Sequence, residues 1–343
     1  MSDNKIIKAA IHDLKKGTGG FQVTLGNSDL PPSKTAQRVI NELYDLYSRR
    51  ASKSYGKFSL DDANFPTQTH LREYVDSKAD FAGLTAKLME NLKYRAGARG
   101  AATGGHVLFA HFERDAKQFL LVAIMTDKLG AALTRSFDVT DIEHLDMDGF
   151  RFAGRINLTG WLKSEERYIG FLKGRGDVSE YFKEFLGCDL TIQSRKDTSD
   201  LVGVLKRFAE DRGLVGAAKD EFLHKAKDIC DRSAVKKEEI RFSALANELM
   251  PDEPETLLAI LTDPDATLND GFVPDRRALS TLVRIKAKTS LWNLEFERDA
   301  ITMGKIRFDA DRKTLTLVDL PDALTQELSE QVSGPDADTA RSI

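Results

Sequence analysis

Long apolar runs are nearly absent from this 343-residue chain. The longest, residues 119–125, is much shorter than the roughly 20 residues that a membrane-spanning helix needs. The opening residues MSDNKIIKAAIHD are polar and lack the apolar segment of a secretory signal peptide. We therefore expect a protein of the cytoplasm with no membrane segment.

Cysteine is also scarce. Cys188 and Cys230 are the only two, and they lack the CxxC spacing of zinc and redox sites, which argues against a disulfide scaffold or a zinc site. Both fall on apolar positions of predicted helices, so we interpret them as buried, reduced packing residues.

Common catalytic signatures are missing as well. The chain contains no phosphate loop, no GxSxG, no HExxH and no dinucleotide fingerprint. This favours a protein that is not an enzyme and holds no cofactor. The best candidate for a metal site is an acidic cluster between residues 138 and 148, but its spacing lacks the EF-hand pattern, so a solvated acidic loop is the favoured interpretation. Its members are Asp138, Asp141, Glu143, Asp146 and Asp148.

A positive net charge is missing too: the formal charge is −4, whereas DNA-binding domains are usually basic. The charges are, however, segregated along the sequence. Residues 251–275 contain seven acidic residues and no Lys or Arg, while residues 276–294 contain five basic residues and no acid. A near-neutral total can therefore conceal a basic surface.

The periodicity predicts an α+β protein with an N-terminal mixed sheet and helices, a central helical segment and a C-terminal region that contains β-hairpins. We expect an α+β domain over residues 1–165, a helical and hairpin-containing domain over 166–330, and a disordered tail over 331–343. Predicted hairpins pair residues 5–14 with 21–25, 107–112 with 119–125 through a long loop, 282–288 with 291–296, and 305–308 with 314–318. Ser33 is the predicted N-cap of the first long helix.

The first candidate site is the segment RYIGFLKGRGDVSEYFKEFLGC at residues 167–188. Asp177 followed by Glu180 is the pattern of a capping box, and an apolar helical face follows it. Lys173 and Arg175 lie in the glycine-broken turn just before this helix, where free N–H groups and the helix dipole favour an anion. The sequence thus predicts a phosphate contact at this turn.

A second candidate is the alternating run of Arg284, Lys286 and Lys288. In a strand these three side chains share one face, which makes a basic stripe suited to a phosphate backbone. A solvated strand face is the competing interpretation. The adjacent Arg276 and Arg277 strengthen the DNA interpretation.

The third candidate is the cluster of Arg49, Arg50 and Lys53 at the predicted end of a helix. Cations are also favourable at helix C-termini because they complement the helix dipole, so this cluster has a purely structural explanation as well.

Six segments of the chain together carry a family resemblance. They are FLKGR with the short helix ending in FLG, YSRRASKSYGKFS (47–59), HVLFAHFERDAKQFLLVAIMTD (106–127), RINLTGW (155–161), FVPDRRAL (272–279) and FDADRKTLTL (308–317). In matching order, they resemble the NdpA/YejK family of bacterial nucleoid-associated proteins over roughly residues 5–320. The resemblance implies a cytoplasmic protein that lies on the nucleoid and binds DNA, but it supplies no set of contact residues.

Three functional hypotheses follow. The leading one is largely sequence-independent binding to the phosphates of double-stranded DNA, with bridging or compaction by a homodimer, since bridging gains from two linked sites; RNA is a second candidate ligand. The alternative is a protein-interaction adaptor whose acidic segment 251–275 docks a basic partner, and the resemblance makes a topoisomerase a candidate for that partner. A metal-dependent nuclease is the third.

Overall fold

The computed structural model describes residues 4–26, 30, 33–99, 102–150, 152–173, 180–190 and 193–332. Arg175 and the Asp177 cap lie outside the described residues. So does the predicted disordered tail, except for its first two residues, which end a helix.

The N-terminal part is built on one antiparallel sheet. The elements of this part are β1 (Lys5–Gly17), β2 (Gly20–Thr24), α1 (Lys34–Arg49), β3 (Lys53–Phe58), α2 (Thr67–Val75), α3 (Phe81–Gly97), β4 (Gly105–Arg114), β5 (Lys117–Met125), β6 (Asp127–Leu133), β7 (Val139–Leu145), β8 (Phe152–Asn157), α4 (Leu158–Leu162), β9 (Ile169–Leu172), α5 (Glu180–Leu186) and β10 (Cys188–Leu190). Within the described residues the sheet has eight strands in the order β10-β3-β9-β8-β5-β4-β1-β2. Because β9 and β10 belong to this sheet, it continues beyond the boundary expected at residue 165, as far as residue 190.

Both faces of the sheet are covered. One face packs against α2, α3, α4 and α5 in a core that includes Leu88, Trp161 and Phe182. The other face packs against α1, whose Leu43 and Tyr47 are buried. The central strands β4 and β5 are therefore apolar on both sides, which explains their nearly continuous hydrophobic sequence.

A separate helical core follows and includes residues from Leu201 to Val283. The elements of this C-terminal part are α6 (Ser194–Asp211), α7 (Gly216–Lys236), α8 (Phe242–Leu249), α9 (Pro254–Leu261), α10 (Arg276–Leu279), β11 (Arg284–Lys288), β12 (Asn293–Glu297), α11 (Asp299–Thr302), β13 (Ile306–Asp309), β14 (Thr314–Leu317) and α12 (Asp322–Val332). The α+β class and both C-terminal hairpins are confirmed.

Local chemistry explains several of these elements. The Ser33 hydroxyl accepts a hydrogen bond from the Ala36 N–H at 3.0 Å, so the predicted N-cap is confirmed. The predicted long loop between β4 and β5 is wrong: the ladder continues to Arg114 and Lys117. Asp115 and Ala116 have φ values of 49° and 59°, as in a tight two-residue turn. An alanine at such a position is an unusual turn residue, which hid the turn.

Cys188 lies in β10 and Cys230 in α7, so the helical placement of Cys188 is wrong. Both are free and buried, as predicted, and burial raises the pKa of both thiols. They are therefore poor nucleophiles at neutral pH.

A buried polar joint connects the sheet to the helical part. The Asn269 side chain accepts from the Tyr55 N–H at 2.7 Å and donates to Asp197 Oδ1 at 2.9 Å. Arg167 donates to the same carboxylate, and both Arg167 and Asp197 are buried. A second buried arginine, Arg155 of β8, donates to the Pro264 carbonyl at 2.9 Å. These contacts hold the two parts against each other through paired polar groups, and removal of one partner would leave a buried charge without compensation.

Candidate nucleic-acid interface

Four of the predicted cations line one groove of about 660 Å³ in the C-terminal part: Arg276, Arg277, Arg284 and Lys286. We call it the basic groove. Its other charged lining residues are the cations Arg195 and Lys227 and the acids Asp231, Glu295 and Glu297. Six cationic and three acidic side chains therefore meet there, which gives an excess of three positive charges.

Helix α10 presents its two arginines to the groove. The Asp275 carboxylate caps the helix by accepting from the Ala278 N–H at 2.8 Å, and the Asp275 N–H donates to the Thr198 hydroxyl of α6 at 2.8 Å. Ala278 is buried, whereas Arg276 and Arg277 are exposed. Helix α10 is only one turn long, so both arginines belong to its last turn as well as its first, and the helix dipole neither favours nor disfavours them.

The basic stripe of β11 is less available than its sequence suggests. The register of the hairpin sets Glu297 opposite Arg284 and Glu295 opposite Lys286. Glu295 accepts from both cations, at 2.9 Å from Arg284 and 3.1 Å from Lys286. Lys288 lies opposite the neutral Asn293 and is exposed. The stripe thus exists, but two of its three charges are shared with carboxylates of the neighbouring strand.

The least compensated cations of the groove are Arg195 and Arg277. Both are exposed, and neither forms a salt bridge with any residue that the structure describes. By contrast, Lys227 and Arg276 share Asp231, with N to O distances of 2.5 and 3.7 Å. Arg195, at the start of α6, was not among the sequence candidates because only the fold brings it beside α10.

Lys53, one of the predicted DNA contacts, is not accessible to DNA. Its side chain is 1% exposed, and its ammonium donates to the carbonyls of Tyr47 (3.2 Å), Ser48 (2.9 Å) and Arg50 at the end of α1. Burial, with a further contribution from Arg155, lowers its pKa to about 7. The alternative interpretation of this cluster, stabilisation of a helix C-terminus, fits Lys53.

The other members of that cluster lie near the FLKGR turn. The Ser52 carbonyl accepts from the Lys173 N–H at 2.9 Å, so the fold brings Lys173 close to the end of α1. The Lys173 ammonium lies 3.7 Å from Glu239. Arg50 donates to the Asp148 carbonyl at 2.8 Å and stacks over Phe150, while Arg49 lies beside Asp45 in an acidic groove. Lys173 and Arg50 are thus close to a protein acid or acceptor. Arg49 is exposed and, like Arg195 and Arg277, forms no salt bridge with a described residue, but the groove that it lines is acidic.

That acidic groove, about 630 Å³ in volume, contains part of segment 251–275. Its acids Asp45, Asp115, Glu255, Asp263 and Asp265 outnumber the cations Arg49 and Arg114. However, three acids of segment 251–275 form salt bridges within the protein and are therefore less available to a partner than the sequence suggests. Asp265 pairs with Arg155, Asp270 with Arg241 and Glu253 with Arg212.

The acidic cluster 138–148 does not form the expected loop, since most of it belongs to the β6–β7 hairpin, with Asp141 and Glu143 within β7. Among the described residues, no group of three His, Cys, Asp or Glu side chains is arranged to hold a metal ion. His106 instead joins Asp13 and Asp127, at 2.5 and 2.9 Å. Burial lowers its pKa, but these hydrogen bonds outweigh that effect and raise it above the usual 6.5.

The comparison with known proteins is decisive for the family. The profile of the family described as nucleoid-associated protein YejK matches residues 10–325. The chain belongs to this family. A nucleoid-associated protein of Pseudomonas aeruginosa is 28% identical over 94% of this chain and 97% of its own length. Proteins of the same description from Pseudomonas fluorescens (28%) and Azotobacter vinelandii (26%) each align with 94% of this chain and 98% of their own lengths.

Membership in the YejK family gives the chain a nucleoid-associated role and supports the expected location at the nucleoid, in the cytoplasm. In the described part of the chain, no helix is both long and apolar enough to cross a bilayer. The family-like segment FVPDRRAL supplies Arg276 and Arg277 to the basic groove, whereas Phe171 and Leu172, the first two residues of FLKGR, end the strand β9 that pairs with β3.

Proposed function

We propose that the protein binds double-stranded DNA through the basic groove, by contacts to phosphates and largely independently of sequence. The observation that supports this proposal most is the excess of cations in the groove, with Arg195 and Arg277 exposed and without salt bridges to described residues. Arginine presents several N–H donors in a plane, which suits phosphate oxygens. Phosphates are the same at every base pair, so such contacts give affinity without sequence preference.

The proposal is tested by fluorescence anisotropy of the purified protein with a random-sequence duplex in a series of salt concentrations. We expect the logarithm of the association constant to fall linearly with the logarithm of the salt concentration, with a slope of about −2 to −4 for two to four phosphate contacts. Binding that is absent at low salt, or independent of salt, would refute it. Competition with an RNA duplex of equal length measures whether RNA is a ligand too.

The acidic groove supports a second candidate function, an adaptor that docks a basic segment of a protein partner such as a topoisomerase. Glu255, Asp263 and Asp265 concentrate negative charge beside the α1 helix. A fluorescent lysine-rich peptide provides the test. If the adaptor function holds, Glu255→Gln with Asp263→Asn weakens peptide binding and leaves DNA binding intact. If the variant binds the peptide as tightly as wild type does, the acidic groove is not the docking site.

We further propose that the function is binding rather than catalysis, because the family is named for nucleoid association and not for a reaction. Incubation of supercoiled plasmid with the protein and Mg²⁺ or Mn²⁺ tests the nuclease alternative. Plasmid that stays supercoiled at protein concentrations that saturate it supports the binding function, and accumulating nicked plasmid would contradict it.

Bridging or compaction needs two DNA sites in one particle. A homodimer with one basic groove in each copy supplies them, and effective concentration then favours the second contact.

A further inference from the structure

The β6–β7 hairpin exposes an unusual amount of apolar side chain. Leu129, Leu133 and Val139 are 65%, 71% and 75% exposed. They share one face of the hairpin, on which β6 is apolar and β7 also carries Asp141 and Glu143. Among the described residues, β6 and β7 form a sheet of their own with two strands. A two-stranded hairpin is marginally stable in water, whereas three or more strands with an apolar face are stable, so a further strand would stabilise this one.

The two edges of the hairpin differ in charge. From Leu129 to Leu133, β6 contains no charged residue and no proline, whereas β7 carries Asp141 and Glu143. Charged side chains and prolines are the usual protection of an exposed edge strand against pairing. The β6 edge is therefore open to another strand, and the β7 edge is protected.

The hydrogen-bond pattern shows which backbone groups face the open edge. The Thr134 N–H donates to the Asp138 carbonyl at 2.9 Å, and the Asp146 N–H donates to the Thr126 carbonyl at 2.8 Å. Bonded and non-bonded pairs alternate along antiparallel strands, so the even-numbered residues of β6 bond to β7. The N–H and C=O groups of Leu129, Ala131 and Leu133 consequently point away from β7, to the open edge.

We propose that β6 pairs antiparallel with β6 of a second copy of the chain, about a two-fold axis at Ala131. This register sets Leu129 opposite Leu133 of the second copy, overlaps the whole uncharged stretch and forms about six hydrogen bonds between the copies. The product is a four-stranded sheet with the leucines of both copies at the centre of one face.

A second copy fits this edge because a strand paired antiparallel with itself is self-complementary. The charges also agree with it. The acidic β7 strands become the outer strands, about 14 Å apart, which exceeds the screening length of about 10 Å at 0.1 M salt. The dimer surface contains no residue of the basic groove, so this inference and the proposed DNA contact can fail independently.

Proline substitutions at two register partners test the proposal. Ala131→Pro removes an N–H from the β6 edge, and Asp141→Pro removes the equivalent N–H from the β7 edge directly opposite. The mass of the full-length protein is measured by sedimentation without nucleic acid, from about 1 to 100 μM. We expect wild type and Asp141→Pro to form dimers of the 38.2 kDa chain, and Ala131→Pro to dissociate about tenfold more readily or more.

A wild-type monomer over this range, or equal dimerisation of the Ala131→Pro protein, would overturn the proposal. If both proline variants are monomeric, cysteine cross-linking tests whether the copies pair through the β6 edge. Treatment of Ala131→Cys with a short bis-maleimide yields a covalent dimer if Ala131 lies on the axis, while Asp141→Cys yields none. An Ala131→Cys protein that stays uncross-linked refutes the pairing, since Cys188 and Cys230 are buried and do not react.

Discussion

Replacement of Arg195 and Arg277 by glutamine is expected to weaken DNA binding by removing two cations that bind phosphates. These are the two lining cations of the basic groove that form no salt bridge with a described residue, so each has its full charge available for a phosphate. In a plot of the logarithm of the association constant against the logarithm of the salt concentration, the slope becomes shallower by about 0.9 for each phosphate that the protein no longer neutralises. Loss of both arginines therefore makes it shallower by about 1.8. A fourfold rise in salt concentration lowers the association constant about 3.5-fold for each such phosphate contact. Between 50 and 200 mM salt, the association constant of wild type should therefore fall about 12-fold more than that of the variant.

The assay is the anisotropy titration at several salt concentrations, and the control changes the same charge elsewhere. Lys117→Gln with Lys163→Gln removes two exposed cations of the N-terminal part that do not line the groove. We expect the slope of this control to equal that of wild type. An unchanged slope for the Arg195→Gln and Arg277→Gln variant would show that DNA binds elsewhere. An equal change of slope in both double variants would show that the effect depends on the net charge of the protein and not on the groove.

Three further predictions concern charges that the fold pairs or buries. Glu295→Gln frees the two cations of β11 that it binds, so DNA affinity and the steepness of the salt dependence should both increase in the same titration; weaker binding would argue against the groove. Because the pKa of Lys53 falls from 10.5 to about 7 on folding, the folded protein releases its proton first as the pH rises. Wild type should therefore gain up to about 1.4 kcal/mol of stability per pH unit relative to Lys53→Met between pH 7 and 10, and a constant difference in urea denaturation would refute this. Arg167→Met leaves the buried Asp197 carboxylate without its cation and should lower the free energy of unfolding by about 3–5 kcal/mol; a decrease below about 1 kcal/mol would show that the joint matters little.

Local patterns were sufficient for much of the fold. The capping oxygen of Ser33, the apolar face of α1 and the alternation in the C-terminal hairpins depend on neighbours in sequence, and the structure contains each of them. The β6–β7 hairpin was missed because its acids resemble a loop and its short apolar residues alternate only weakly.

The candidate site was harder to predict because availability of a charge depends on distant residues. The sequence around Lys53 is typical of a surface cation. Lys53 is nevertheless buried, because it begins strand β3, which contacts the helical part through the hydrogen bond from Tyr55 to Asn269. Arg195 is 81 residues from Arg276 in sequence and shares a groove with it only after α6 and α10 pack together. Glu295 could have been anticipated, since two acids spaced by two in the second strand match the cations spaced by two in the first.

Site-specific cross-linking would test most directly whether DNA occupies the basic groove. Ser199 is exposed and lines the groove, whereas Leu60 is 97% exposed and does not. Each position is changed to cysteine and labelled with a photoreactive group, and the protein is irradiated with a random-sequence duplex at low salt. Our account predicts DNA adducts with the Ser199→Cys protein that disappear with Arg195→Gln and Arg277→Gln. Adducts with the Leu60→Cys protein alone would contradict it.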